Sequence, residues 1–345
     1  MAQIAARGWF TASGALSVAA GTAVLAALVW QVGLAEIRDG FLNVGWAFPL
    51  IVALGGLRFF VRATAWSLCI EPPHRLRLTD AMAAVLAGDA LGNATPLGPV
   101  VGEPAKVAFA RGHVATGPAV TALAIENLFY TLATAAMIAA GTLALLFAFE
   151  LPAPVREYSQ LAVLGILAGL ILVVLVLWTR PAVVSRALPM LSRPGSKLHA
   201  RREKLRALEQ DIYSFAGRRR ATVVPVALLE ISFHALGVLE THLTLSMILD
   251  APPPLLTSFI IETASRLVTV LFKPIPMQIG VAEGGLAMVT EVLGLGAPVG
   301  VTFSLVRKAR VATWAVAGAL LLVRRGITTR TVLADPNLRP HTGDS

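Results

Sequence analysis

Apolar residues occur in this chain as long unbroken stretches, not in alternation or along a single helical stripe. Six such runs cover residues 14–34, 44–70, 117–149, 158–178, 221–249 and 298–323. Each is about 20 residues or longer, enough for an α-helix to cross a hydrocarbon core. The first follows Arg7. It is too long for a signal-peptide core and is predicted to be a retained span.

Two further apolar stretches are interrupted. Residues 80–112 carry Asn93, Pro96, Gly98, Pro99, Gly102 and Pro104, a cluster through which no transmembrane helix runs unbroken. Residues 255–296 carry Pro274, Pro276 and Gly280. The breaks share a spacing: Pro96 precedes Glu103, and Pro276 precedes Glu283, by 7 positions. Beyond each, Gly117-Pro118 or Ala297-Pro298 opens the next long run. The predicted unit is a broken hairpin, an acidic residue at the break, and a full span. It occurs twice, at about residues 44–149 and 221–323. The predicted fold class is an all-α polytopic membrane protein. Six full spans are joined by two oppositely oriented re-entrant (broken) helical hairpins arranged as an inverted repeat.

Composition excludes the main alternatives. The chain is 56% hydrophobic and 14% charged, with a mean hydropathy of +0.73, whereas soluble domains are about 25% charged. A β-barrel would show alternating segments of roughly ten residues. The lone Cys69 excludes an intrachain disulfide.

Charge sets the orientation. The formal net charge is +9, and much of it lies in residues 180–220, where 11 Lys and Arg face Glu203, Glu209 and Asp211. The positive-inside rule places this segment in the cytoplasm, against anionic lipid. Basic character is thereby assigned to the membrane surface, and no nucleic-acid partner is expected. Leu198, Leu205, Leu208, Ile212 and Phe215 fall at helical spacing there. They predict an amphipathic helix, either on the membrane surface or solvated in the loop. Counting spans outward from this segment puts both termini in the cytoplasm and residues 250–254 outside. The first hairpin then opens to the cytoplasm and the second to the outside. Residues 335–345 are expected to be a disordered tail.

Candidate chemistry gathers at the breaks and in the spans beside them. A half-helix starting after Gly102 would hold Pro104 in its first turn, a favourable place for proline. Its free N–H groups would then suit an anion such as phosphate. Lys106, three residues after Glu103, would pair with it. The last run carries Arg307, Lys308 and Arg310. Arg307 and Arg310 share a face, with Lys308 turned away by about 100°. Such cations need carboxylates or a substrate phosphate as partners. Glu126, Glu230, Glu262, Glu283 and Glu291 are available. Arg58 and Arg62, four apart in the second run, fall under the same reading. Arg307 follows Glu283 by 24 residues and Glu126 follows Glu103 by 23. Each repeat thus returns an ionisable residue past its own break. Glu103, Glu126, Glu283, Arg307 and Arg310 are expected to converge on one cavity. Glu230 and His234, also four apart, have the spacing of a metal or proton site. With no third ligand, a satisfied intramembrane pair is favoured, and no metal or cofactor is expected. No P-loop, nucleophile elbow or triad signature is present.

The P-x-G-x-x-x-G-E hairpin of residues 96–103, the P-x-x-x-G-x-x-E hairpin of residues 276–283 and the arginine-bearing last span resemble the transmembrane region of lysylphosphatidylglycerol synthases. That family includes stand-alone flippase-like membrane proteins. The resemblance covers about residues 10–325. Family members more often read P-G-G-x-G-x-x-E at the second hairpin, where this chain has Met277-Gln278-Ile279. The resemblance implies the lipid-translocating half of the synthases, without their soluble aminoacyl-transfer domain, and therefore no enzyme activity. The implied function is movement of a polar or anionic, phosphate-bearing lipid between leaflets of a bacterial inner membrane. The alternative is a non-transporting lipid-binding partner of a separate lipid-modifying or glycosyl-transfer enzyme.

Overall fold

The computed structural model describes residues 34–94, 98–179, 202–249, 251–273 and 275–324. Pro96, Pro274, the run at 14–33 and the tail at 335–345 lie outside them. The described residues form the helices α1 (Leu34–Val44), α2 (Phe48–Cys69), α3 (Leu78–Ala94), α4 (Gly98–Ala110), α5 (Thr116–Ala148), α6 (Ala153–Thr179), α7 (Arg202–Arg218), α8 (Arg220–Ile248), α9 (Leu255–Leu271), α10 (Val281–Val292) and α11 (Ala297–Arg324). Two 3-10 turns, Gly45–Ala47 and Pro276–Gln278, join α1 to α2 and precede α10.

Four stretches among the described residues are long and apolar enough to cross a membrane: Leu42–Cys69, Thr116–Ala148, Ala153–Leu177 and Arg220–Ile248. They coincide with the second to fifth runs. The sixth run is α11, whose 28 residues reach about 42 Å at 1.5 Å per residue. Its centre is charged, and Arg310 is buried there. The arms of the two interrupted stretches are shorter. α3 and α9 have 17 residues each, α4 has 13 and α10 has 12, all below the roughly 20 of a full span.

Small residues let α3 and α4 come together. Gly92 lies against Gly98 and Gly88 against Gly102. As one number rises the other falls, so the two helices run antiparallel. A Cβ on Gly102 would stand 2.8 Å from the Gly88 carbonyl oxygen. On the other side of the site, Gly300 of α11 packs on the Leu286 carbonyl of α10. Close backbone approach through small residues is the usual way helices associate where lipid supplies no hydrophobic drive.

Two apolar clusters lie at opposite ends of α8. Ile70, Leu76, Ala110, Val114, Phe215 and Val226 share one, near the start of α8. Leu245, Leu286, Phe303 and partly buried Ile248, Val289 and Leu293 share the other, near its end. Phe215 is only 1% exposed. Together with Arg218, whose Nη2 donates to Glu71 at 3.0 Å, it docks the last turn of α7 on the α2–α3 loop. That turn is therefore neither free on a lipid surface nor fully solvated, because its aromatic ring finds an apolar pocket at the helix ends. α6 is the opposite case. It packs on α5 and leaves Leu161, Leu164, Ile171 and Leu172 more than 60% exposed, as suits a helix facing lipid.

Candidate functional site

Polar side chains from α2, α3, α4, α5, α9 and α11, with Phe233 of α8, surround a cavity of about 340 Å³. Eight cationic side chains line it: Arg58, Arg62, Lys106, Arg266, Lys273, Arg307, Lys308 and Arg310. The carboxylates on its lining are Asp89 and Glu103. Glu126, Glu240, Glu262 and Glu283 stand one layer behind, each holding a cavity cation from outside.

The largest ion-pair group centres on Glu262 of α9, which is fully buried. Its Oε2 lies 2.6 Å from Arg307 Nη1, and its Oε1 accepts from Arg307 Nη2 at 3.0 Å, a two-pronged pair. Arg266, one turn along α9, donates to Oε1 at 2.8 Å. Thr241 of α8 donates to Oε2 at 3.0 Å. Arg58 of α2 lies 3.9 Å from Glu262 and donates to Glu240 of α8 at 3.1 Å. Arg310 Nε sits 3.0 Å from Glu240 Oε1, an ion contact without hydrogen-bond alignment. Four helices are thereby joined by buried charge. Gly237 makes room for Glu262, since a Cβ there would meet Oε1 at 2.6 Å. Gly55 does the same beneath Arg310.

A second group joins α2, α4 and α5. Arg62 Nε donates to Glu126 Oε1 at 2.8 Å, and its Nη2 donates to Asn127 Oδ1 at 3.2 Å. Asn127 in turn donates to Glu103 at 3.1 Å, and Lys106 donates to Glu103 at 2.8 Å. Aromatic faces close the space between the groups. Arg62 lies 4.3 Å above Tyr130, and Arg58 lies 4.3 Å above Phe233.

A third group sits at the second break. Glu283 of α10 accepts from the Gly280 N–H at 2.8 Å, capping its own helix, and pairs with Lys308. Lys308 also donates to the Gln278 carbonyl at 3.3 Å. Met277 and Gln278 both have left-handed backbones, with φ of 50° and 48°. These are the two positions where the resembled motif has glycine, the residue that adopts such angles at no steric cost. This chain holds that left-handed turn with Met277 and Gln278, whose side chains line the cavity.

Several expectations need correcting. α4 begins at Gly98, so Glu103 and Pro104 lie inside the helix and no free helix start faces an anion after Gly102. The close Gly92–Gly98 approach lets the helix start earlier than the proline pattern suggests. Of the five residues expected to converge, Glu103, Arg307 and Arg310 line the cavity, while Glu126 and Glu283 stand behind Arg62 and Lys308. Lys308 is not turned away. Ser304, Arg307, Lys308 and Val311 form one cavity-facing strip, because α10 wraps onto the side of α11 that the helical wheel leaves as flank. Glu230 and His234 are not a satisfied pair: neither Glu230 oxygen has a hydrogen-bond partner among the described residues, and His234 Nε2 lies 3.2 Å from Thr134 Oγ1. Sequence reasoning missed Arg266, Asn127 and Lys273 as cavity groups and Glu240 as the acid behind Arg58 and Arg310. Arg266, four residues after Glu262, was within reach of the helical-spacing rule.

The long apolar helices, the lipid-facing α6 and the buried ionic cavity define an integral membrane protein built around a polar centre. The chain belongs to the family described as the lysylphosphatidylglycerol synthase TM region, whose model matches residues 14–326. That membership ties it to membrane lipid. No curated protein and no solved structure is matched by the chain.

Proposed function

We propose that this protein moves a lipid with an anionic, phosphate-bearing headgroup between leaflets, the headgroup passing through the cavity. One observation carries the proposal. Seven of the eight cavity cations have a carboxylate within ion-pair distance. Lys273, two residues past the end of α9, has none among the described residues, and the more distant charges that bear on it are one acid, Glu103, and two cations, Arg62 and Lys106. An uncompensated cation at the mouth of a cationic pocket attracts an anion. The arginines beside it offer planar forks that fit phosphate oxygens. A volume of about 340 Å³ falls in the range of small-ligand sites. It suits a headgroup, whose acyl chains would stay in the surrounding lipid.

The gating elements of the proposal are the α3–α4 and α9–α10 pairs, acting as re-entrant hairpins from opposite faces in an inverted repeat. Their short arms and the apolar clusters at opposite ends of α8 support that arrangement. The membrane is the bacterial inner membrane, with both termini in the cytoplasm. Topology is checked by cysteine labelling in a Cys69→Ala background. Ser196→Cys is expected to react only from the cytoplasmic side and Ala251→Cys from outside. Strong outside labelling of Ser196→Cys would reverse the orientation.

Transport is tested with purified protein in liposomes carrying headgroup-labelled phosphatidylglycerol and an external quencher. The wild type is expected to move the lipid unaided. Lys273→Gln removes the free charge and is expected to slow movement about tenfold, the equivalent of one charge-assisted contact. Arg307→Lys keeps charge but loses the fork, so it should impair movement while the protein stays folded. Glu283→Gln strands Lys308 at a cost of a few kcal/mol and should do more harm. Near-wild-type movement in all three at matched expression would reduce these groups to structural ion pairs. Lipid binding without movement would favour the lipid-holding partner.

A further inference from the structure

One buried acid takes no part in the ion-pair groups above. Glu230 of α8 is fully buried, and among the described residues neither of its carboxylate oxygens has a hydrogen-bond partner. An ionised carboxylate with neither oxygen paired is not tolerated at membrane depth, so this group carries a proton. Its setting is defined by a ring stack. Tyr130 of α5 and His234 of α8 stack with centroids 5.9 Å apart. Four residues earlier, one turn back on each helix, are Glu126 and Glu230. Both also lie ten residues after their helix starts, Thr116 and Arg220, a depth of about 15 Å. The two carboxyls are therefore level on neighbouring helices. Glu126 is the charged group that bears most strongly on Glu230, followed by Arg62 and Lys106. Glu126 spends one oxygen on Arg62, and its Oε2 is unpartnered.

The titratable and charged groups around this pair are few. α2 supplies Arg62 and buried Cys69, α4 supplies Lys106, α5 supplies Tyr130, and α8 supplies His234, with Arg219 at the helix start. Among the described residues, Arg62 is the one that contacts either carboxyl. It also lines the cavity. A phosphate oxygen that draws Arg62 away from Glu126 would leave the Glu126 carboxylate buried without its counter-ion, beside an already protonated Glu230, and such a group neutralises by taking up a proton.

We propose that Glu126 and Glu230 form a proton-binding site, and that binding of an anionic headgroup at Arg62 is accompanied by uptake of one proton. In the empty cavity Glu230 is protonated and Glu126 is the counter-ion of Arg62. With a headgroup bound, Arg62 faces the phosphate, and Glu126 takes a proton from the aqueous phase. The added anion and the added proton cancel, so the loaded site carries no extra charge into the low-dielectric interior. Because binding takes up a proton, it tightens as pH falls. By linkage the headgroup raises the proton affinity of the site equally.

The linkage rests on the lipid reading given above, but the proton site can be tested apart from it. Infrared spectra of the protein in nanodiscs at neutral pH are expected to show a protonated-carboxyl C=O band. Glu230→Gln, which mimics the neutral acid and should fold, would remove it. An unchanged band in that variant overturns the proton site, whatever the lipid assay gives. In liposomes loaded with a pH dye, movement of labelled phosphatidylglycerol is expected to carry close to one proton per lipid. Headgroup affinity should rise about tenfold per unit fall in pH over the titrating range. Glu126→Gln should abolish both. Lipid movement without protons and independent of pH would overturn the linkage and leave the transport reading standing. Absence of lipid movement together with a Glu230-dependent band would reject transport and retain the site.

Discussion

Glu262→Gln is expected to be the most damaging neutral substitution in the protein, costing about 3–5 kcal/mol of stability. The glutamate is fully buried and compensates Arg307 and Arg266 directly, with Arg58 at 3.9 Å. Glutamine keeps the shape but offers one acceptor oxygen and no charge. Two partly buried guanidinium groups then remain with no counter-ion in contact, and removing one partner of a buried pair is far worse than never having the pair. Expression level and the temperature at which detergent-purified protein loses monodispersity should both fall sharply. Glu103→Gln is the comparator. Its own side chain is 32% exposed and it holds one buried cation, Lys106, where Glu262 holds two, so water screens part of the loss and the cost should be smaller. Equal stability of the two variants would show that Glu262 is not the keystone of the network.

Gly102→Val should have the next largest effect. A Cβ at this position would stand 2.8 Å from the Gly88 carbonyl oxygen and 3.4 Å from the Gly92 Cα. Both are main-chain atoms, so relief requires α3 and α4 to separate. Overpacking of this kind costs about 1–3 kcal/mol or more. Here it would also displace Glu103 and Lys106, one residue and one turn away. Stability and lipid movement should therefore fall together. Gly165→Ala is the control, because nothing lies within 4 Å of a Cβ there. It should be neutral or slightly stabilising, by about 0.5–1 kcal/mol, as alanine restricts the unfolded chain. A tolerated Gly102→Val would contradict the close helix contact.

How much of this was legible in the sequence divides by physical range. Run length showed the second to fifth spans, because hydropathy over 20 residues is a local property read directly from the chain. The helical rule brought Glu103 to Lys106, since their pairing needs only one helix. It could not show that Arg307 turns to Glu262, Lys308 to Glu283 and Arg310 to Glu240. Those pairings depend on which neighbour each face meets. The wheel of α11 ranks Lys308 as flank until α10 is packed beside it. Proline positions also misled: the cluster around Pro99 and Pro104 suggested a late helix start. The glycine contacts that let α4 begin at Gly98 are long-range. Lys273 escaped notice for a related reason. What marks it is the lack of a partner in three dimensions, and a sequence does not display unpaired charge.

The claim that an anionic headgroup occupies the cavity is tested most directly by photo-crosslinking. Phosphatidylglycerol with a photoactivatable group on its headgroup would be added to the protein in nanodiscs, and labelled peptides mapped. Labelling is expected on peptides containing Arg62, Lys273 and Arg307, and competition by excess unlabelled phosphatidylglycerol should remove it. It should weaken in Lys273→Gln. Labelling confined to the lipid-facing surface of α6, unchanged by competitor or by Lys273→Gln, would contradict a headgroup site within the cavity.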